Sequence, residues 1–134
     1  MKRLLLLSLV VALSGCTVVN SFLLTHYDPN EYFQINNIRT QASAFKTTCD
    51  DATKSYANAV TLAKSTQEFE FYSQHIPRND DGYKMAQNIN EITQGLKKQY
   101  EASTKVSPIF CKFKFEGIER SAETAQKTIG ARPR

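Results

Sequence analysis

The sequence has few of the residues that bend a chain or build a metal site. It contains no Trp, five Gly, four Pro and two His among 134 residues. Scarce Gly and Pro favour helices over turn-rich β structure. His26 and His75 stand far apart and outside any cluster of ligands, so the sequence predicts no metal site.

A long hydrophobic run and a large excess of one charge are also missing. The apolar run from Leu4 to Leu13, interrupted only by Ser8, has ten residues. This is too short for a transmembrane helix, which needs about 20 apolar residues. The chain has 17 basic and 13 acidic residues, and no basic face is evident. The sequence therefore predicts no nucleic-acid partner.

No set of residues typical of an active site is present. The chain has no Ser-His-Asp or Cys-His arrangement and no glycine-rich phosphate loop. The adjacent carboxylates of residues 50–51 and 80–81 point to different sides in a helix or turn. They are better explained as a solvated helix face and a capping turn than as a general acid/base pair. We therefore predict that the chain is not an enzyme, and a small hydrolase is disfavoured.

Residues 1–16 have the three parts of a signal peptide. Two basic residues precede the apolar run, and the small pair Ser14-Gly15 precedes Cys16. The segment Leu13-Ser14-Gly15-Cys16 resembles the lipobox of bacterial lipoprotein precursors at every position. The resemblance is limited to residues 1–16, and it assigns the mature domain to no family.

The lipobox resemblance implies cleavage before Cys16 and a covalent lipid on that cysteine. Diacylglycerol on the sulfur, with an acyl chain such as palmitate on the new amino group, would anchor the chain in a membrane, since each buried CH₂ contributes about 0.8 kcal/mol. Thr17, rather than Asp, follows the cysteine, which in enterobacterial-type sorting favours the periplasmic face of the outer membrane. The alternatives are an ordinary secretory signal, or a membrane anchor followed by a buried cysteine. No other cofactor is predicted.

The mature chain begins with a predicted tether, residues 16–27, and then shows a strong helix start. Asp28, Pro29 and Glu31 have the types and spacing of an N-cap, a first helical residue and a capping box. Apolar or small residues then recur at heptad spacing, at Ile35, Ile38, Ala42, Phe45, Cys49, Ala52, Tyr56, Ala59 and Ala63. Because Ile76-Pro77 ends the pattern, we expect one helix to about Gln74, which would span about 70 Å.

A second arm follows a predicted turn at residues 77–82. Its seam contains Met85, Ile89, Ile92, Leu96, Gln99, Ser103, Val106 and Phe110. Ser107-Pro108 predicts either a kink or a new helix capped by Ser107. The seam then restarts at Cys111, Phe115, Ile118, Ala122, Ala125 and Ile129. The alternation in residues 112–115 would also suit a short strand, but no partner strand is apparent. Gly130 is a predicted C-cap, and residues 131–134 are predicted to be a frayed tail.

The two cysteines left after Cys16 are predicted to form a disulfide. Cys49 and Cys111 are equidistant from residue 80 in the predicted turn, and both occupy the seams. A lipoprotein matures where disulfides persist, although two buried free thiols are the alternative. The predicted fold is all-α: a disulfide-stapled antiparallel helical hairpin over residues 28–130, with a coiled-coil-like seam and a second arm kinked near Pro108.

Three aromatic residues near the predicted hairpin tip cannot all face one partner helix. Phe69, Phe71 and Tyr72 are either covered by Tyr83, Met85 and the turn, or form an exposed apolar tip that docks another protein. The predicted function is a membrane-anchored scaffold, adaptor or inhibitor that contacts another envelope protein. The alternative is a spanin-like outer-membrane subunit of a phage lysis complex, although the chain lacks the proline-rich stretch common in such subunits. Pairing of the seams between molecules would give a homodimer.

Overall fold

The part of the chain that the structure describes contains four α-helices joined by short connections. The computed structural model describes residues 25–102 and 105–134. The helices are α1 (Pro29–Phe45), α2 (Ala52–His75), α3 (Asp80–Ala102) and α4 (Pro108–Gly130), and a 3₁₀ turn at Lys46–Thr48 lies between α1 and α2. Within those described ranges there is no strand, so the predicted all-α class is confirmed, and residues 112–115 are helical.

Side-chain caps fix the starts of α1, α2 and α4. Asp28, Asp51 and Ser107 each accept a hydrogen bond from the backbone N–H three residues later, at 2.8, 3.0 and 3.2 Å. Each bond satisfies a donor that has no partner within the helix. Pro29 and Pro108 follow at the first helical position, where a missing N–H breaks no helical bond. Of the two alternatives for Pro108, the structure therefore has the new helix start and not the kink.

The single helix predicted from residue 29 to about Gln74 is wrong, because it is interrupted between Phe45 and Ala52. In this break the Thr47 and Thr48 hydroxyls donate to carbonyl oxygens three residues earlier, at 2.7 and 2.8 Å. Such local bonds compete with helical ones, and Asp51 caps a new helix directly afterwards. The heptad pattern concealed the break, because the heptad position inside it, Cys49, is still small and apolar.

Each helix packs against two neighbours in an antiparallel four-helix bundle. The contacts of α1 with α4 and of α2 with α3 are those expected from a hairpin that turns near residue 80. The contacts of α1 with α2 and of α3 with α4 are not expected from such a hairpin. They form because each predicted arm folds back where its helix is interrupted, the first after Phe45 and the second before Pro108. A helix of 23 residues such as α4 is about 35 Å long, so the bundle has half the predicted length.

The core lies between all four helices and contains mainly small and aliphatic side chains. On α4 every predicted seam residue is buried: Cys111, Phe115, Ile118, Ala122, Ala125 and Ile129. On α2 the agreement is poorer. Tyr56 is 40% exposed, whereas Leu62 and Phe69, which lie off the predicted seam, are fully buried. The break before Ala52 resets the helical phase, and this changes which face of α2 points inward.

The antiparallel packing gathers the helix termini at two ends of the bundle. The near end contains the starts of α1 and α3, the ends of α2 and α4, and the C-terminal residues. The far end contains the break at residues 46–51, the disulfide, and the connection from α3 to α4. A hairpin with two unbroken arms would hold its turn away from the predicted tether, but the structure brings the two together. Thr25, within the predicted tether, donates a hydrogen bond from its hydroxyl to the carbonyl oxygen of Arg78 in the turn.

Candidate functional site

The predicted disulfide is confirmed, and it lies at the far end of the bundle. Cys49 and Cys111 are joined by an S–S bond of 2.02 Å, with their Cα atoms 5.7 Å apart. Both side chains are buried. The bond links the segment after α1 to the first turn of α4, so it closes the far end covalently. Cys16, the predicted lipid-bearing residue, lies outside the described residues.

The three aromatic residues of the predicted binding tip do not form one surface. Phe69 is fully buried in the core, so it is not available to a partner. The Tyr72 hydroxyl donates to the Asp28 carboxylate at 3.1 Å and joins the end of α2 to the start of α1. Burial raises the pKa of Tyr72, and the Asp28 carboxylate raises it further. Phe71, which is 55% exposed, is the member of the set that remains on the surface.

A buried polar network occupies the near end. The fully buried Glu31 carboxylate accepts hydrogen bonds from the Ser73 hydroxyl at 3.1 Å and the Asn79 amide at 2.7 Å, and it forms an ion pair with Arg132. Arg132 also donates to the Asn79 side-chain oxygen at 2.7 Å. Glu31 was predicted to complete a capping box, but its carboxylate instead connects α1, α2, the turn and the C-terminal segment. A buried charge needs such partners.

The C-terminal residues are part of the fold, so the prediction of a frayed tail is wrong. The backbone N–H of Tyr27 donates to the Pro133 carbonyl at 2.8 Å. The Arg134 guanidinium lies 4.9 Å from the centre of the Tyr27 ring, a distance suited to cation–π attraction. Together with Arg132, these contacts hold the tail against the residues that enter α1.

Polar side chains at the near end do not assemble into a recognisable catalytic or metal centre. An open cavity of about 400 Å³ is lined by both acidic and basic residues, among them Arg78, Asp80, Asp81 and Arg132. Across the described part of the chain, no group of three or more His, Cys, Asp or Glu residues could hold a metal ion. His75 is exposed, and its Nδ1 lies 2.7 Å from the carbonyl oxygen of Phe71.

The most exposed large apolar side chains of the described residues lie at the far end, and their exposure was not predicted from the sequence. Ile109 is 82% exposed and Phe113 is 69% exposed. We call this pair the α4 ridge. The alternation of Lys and Phe in residues 112–115 is the signal that was available. In a helix, residues two apart face different sides, so Phe113 points outward when Phe115 is buried.

Two lysines that flank Phe113 in the α4 ridge make weak contacts. Lys112 lies 3.8 Å from Asp50, and both side chains are largely exposed. The Lys114 ammonium lies 5.4 Å from the centre of the Phe110 ring. A closer pair, Lys46 with Glu119 at 2.7 Å, joins α4 to the break after α1. The hydrogen bond from Lys46 lowers the pKa of Glu119.

Two further findings bear on the surroundings of the chain. In the ranges that the structure describes, no helix combines the length and the apolar character needed to cross a membrane. No protein-family model, no curated protein and no solved structure matches this chain.

Proposed function

We propose that this chain is a bacterial envelope lipoprotein, anchored by lipid on Cys16, that acts without catalysis as a scaffold, adaptor or inhibitor. The observation that carries the proposal is the Cys49–Cys111 disulfide downstream of the lipobox-like segment ending at Cys16. A lipoprotein matures outside the reducing cytoplasm, and this is where disulfides persist. The periplasmic face of the outer membrane is the proposed location, on the basis of Thr17.

A role in protein contacts is favoured by how the polar and apolar residues are used. At the near end Glu31 and Arg132 bind each other, so these two charged residues serve the fold. Large apolar side chains remain exposed on the outer faces of the helices, among them Phe33 at 63% and Phe71 at 55%. Single exposed apolar residues are common on proteins, so the contact surface has to be located by experiment.

The structure lends less support to the spanin-like alternative and to a homodimer that pairs the seams. Both need a seam that is open to another chain. In the described residues, most seam side chains of α1 and α4 are buried inside one molecule. Pairing them with a second chain would require the bundle to open.

The anchor is tested with the full chain and a Cys16→Ser variant, expressed in a Gram-negative host. We expect the natural chain to sediment with membranes, and mass spectrometry to find acyl groups on its N-terminal Cys16 peptide. We expect Cys16→Ser to lose the acyl groups and the cleavage. An unmodified Cys16 in the mature natural chain would contradict the anchor.

The adaptor role is tested by placing a photo-crosslinking amino acid at Phe33 or at Phe71 in the lipidated chain. We expect one of these positions to capture a single envelope protein, and the matched position on the other helix to capture none. Crosslinks that are absent at both positions, or that scatter over abundant proteins, would contradict the adaptor role.

A further inference from the structure

The α4 ridge is convex and points away from the core. Ile109 and Phe113 are four residues apart, so they are neighbours on one helix face. Cys111 and Phe115, each two residues further along, are 0% exposed. A step of two residues turns an α-helix by about 200°. The ridge therefore lies opposite the buried face of α4 and projects from the bundle.

The chain segment that carries the ridge is positively charged. Lys105, Lys112 and Lys114 lie within five residues of its members, and no acidic residue occurs between Glu101 and Glu116. Asp50 lies 3.8 Å from Lys112, but both side chains are exposed to water. Asp50 therefore offsets the positive charge of Lys112 only weakly. The ridge is also in the first two turns of α4, where the helix dipole adds positive potential.

This chemistry fits a lipid surface better than a protein partner. A specific protein interface needs roughly 800 Å² on each side, and two protruding side chains supply only a small part of that. A bilayer requires no complementary shape. Peripheral membrane segments bind by inserting apolar side chains while lysines contact anionic headgroups. We therefore propose that Ile109 and Phe113 insert into the surface of an anionic bilayer, as a second membrane contact besides the anchor.

The proposed anchor brings the ridge within reach of the same membrane, and to this extent the inference rests on the proposed function. Residues 17–24 connect Cys16 to Thr25, and such a segment spans at most about 30 Å. The bundle is about 35 Å long, so the far end reaches the bilayer when the bundle lies along it. Attachment to the membrane raises the local concentration of lipid, which allows a weak contact to be occupied.

The experiment uses the absence of Trp from the chain. A Phe113→Trp variant of the full lipidated chain has one indole, which sits on the ridge. It is reconstituted into vesicles of phosphatidylcholine alone or of phosphatidylcholine with phosphatidylglycerol. With phosphatidylglycerol, we expect a blue-shifted emission and quenching by brominated acyl chains, and with phosphatidylcholine alone we expect both effects to be largely lost.

A matched control places the indole on α2, which is not a packing neighbour of α4. Val60→Trp, at a position that is 37% exposed, is expected to give the same emission with both kinds of vesicle and little quenching by brominated acyl chains. Lys112→Gln and Lys114→Gln are then each added to the Phe113→Trp chain. For each lysine removed, the ratio of chains whose ridge is inserted to chains whose ridge is in water is expected to fall about fivefold.

Three outcomes would overturn the inference. One is water-like emission of Phe113→Trp with both kinds of vesicle, and another is equal quenching of Phe113→Trp and Val60→Trp. The third is capture of a protein, rather than lipid, by a photo-crosslinker at Phe113. Each leaves the anchor untouched, since the loss of acyl groups in Cys16→Ser is measured separately by mass spectrometry. A failed anchor and a failed ridge are therefore distinguishable.

Discussion

The two ends of the bundle are closed by different kinds of interaction. At the near end, Glu31, Asn79 and Arg132 form a buried network of charge and hydrogen bonds. At the far end, a covalent bond joins Cys49 to Cys111. The near end is therefore sensitive to the loss of a charged partner, and the far end is sensitive to reduction.

The difference has a physical origin in the number of chain segments that meet at each end. The near end receives the starts of α1 and α3, the ends of α2 and α4, and the tail, so several polar groups meet there away from water. They must bind one another, because an unpaired buried polar group is costly. The far end has two connections between helices, and one cross-link suffices to hold them together.

Removal of the disulfide is expected to have the largest effect. The bond closes a loop with a sequence separation of 62, for which chain entropy predicts a loss of up to about 4 kcal/mol. We expect Cys49→Ala with Cys111→Ala to lower the free energy of unfolding by an amount approaching this figure, measured in urea. Hydrogen exchange is expected to rise first at residues 46–51, while the near end keeps its protection. Equal melting of the oxidised and reduced chains would contradict the prediction.

Loss of the buried cation is expected to be the next largest effect. The Arg132 side chain is 10% exposed and pairs with the fully buried Glu31 carboxylate. Arg132→Met leaves that carboxylate without its ion-pair partner, which costs about 3 kcal/mol in unfolding free energy. The matched control is Arg134→Met, whose guanidinium lies on the Tyr27 ring near the surface, and we expect a loss of about 0.5 kcal/mol there. Adding Glu31→Gln to Arg132→Met is expected to restore part of the stability, and a purely additive double variant would argue against the pairing.

Two glycines of α3 allow the near end to be compared with the middle of the bundle. A Cβ atom at Gly82 would lie 2.2 Å from the Asn79 side-chain oxygen and 2.6 Å from Arg132 Nη2, whereas at Gly95 it meets nothing within 4 Å. We expect Gly82→Ala to destabilise the protein by about 2 kcal/mol through overpacking, and Gly95→Ala to stabilise it by up to about 1 kcal/mol. Thermal unfolding of the two variants measures the difference, and effects of the same sign would show that the near end tolerates expansion.

Acid is expected to have a small effect on the free energy of unfolding through Glu119, which pairs with Lys46 in the break after α1. Because Lys46 lowers the pKa of Glu119, the folded state holds the carboxylate in its charged form. The Lys46–Glu119 pair contributes fully to stability at a pH above the pKa that Glu119 has in the unfolded chain. This contribution is lost as the pH falls through the lower pKa that Glu119 has in the folded state. Both side chains are partly exposed, so we expect at most about 1 kcal/mol. Lys46→Gln is expected to be less stable than the natural chain near neutral pH and equally stable in strong acid, and a difference that persists in acid would exclude the ion pair as its cause.

The helices and the disulfide could be predicted from the sequence because their signals are local or follow a simple pairing. Asp28 with Pro29 and Ser107 with Pro108 define helix starts through bonds to the next turn. On α4, the apolar period identified every buried apolar position. On α2 the apolar period did not identify the inward face, since the break after Phe45 shifted that face and buried Phe69, for which both a covered position and an exposed tip were open.

The candidate surfaces were harder to predict than the fold. Glu31 and Arg132 are 101 residues apart, and no spacing rule connects an acidic residue in a first turn with an arginine near the C-terminus. The exposure of Ile109 and Phe113 likewise depends on which face of α4 meets its neighbours.

The sequence by itself determined the starts of α1 and α4, which cysteines pair and the apolar face of α4, because these depend on bonds within a turn or on a regular period. Only the tertiary structure decided that both arms fold back, that the turn and the tail meet beside Thr25, and which aromatic residues stay exposed. The reason is physical. Local hydrogen bonds set each helix independently, whereas burial depends on which other helices lie against it.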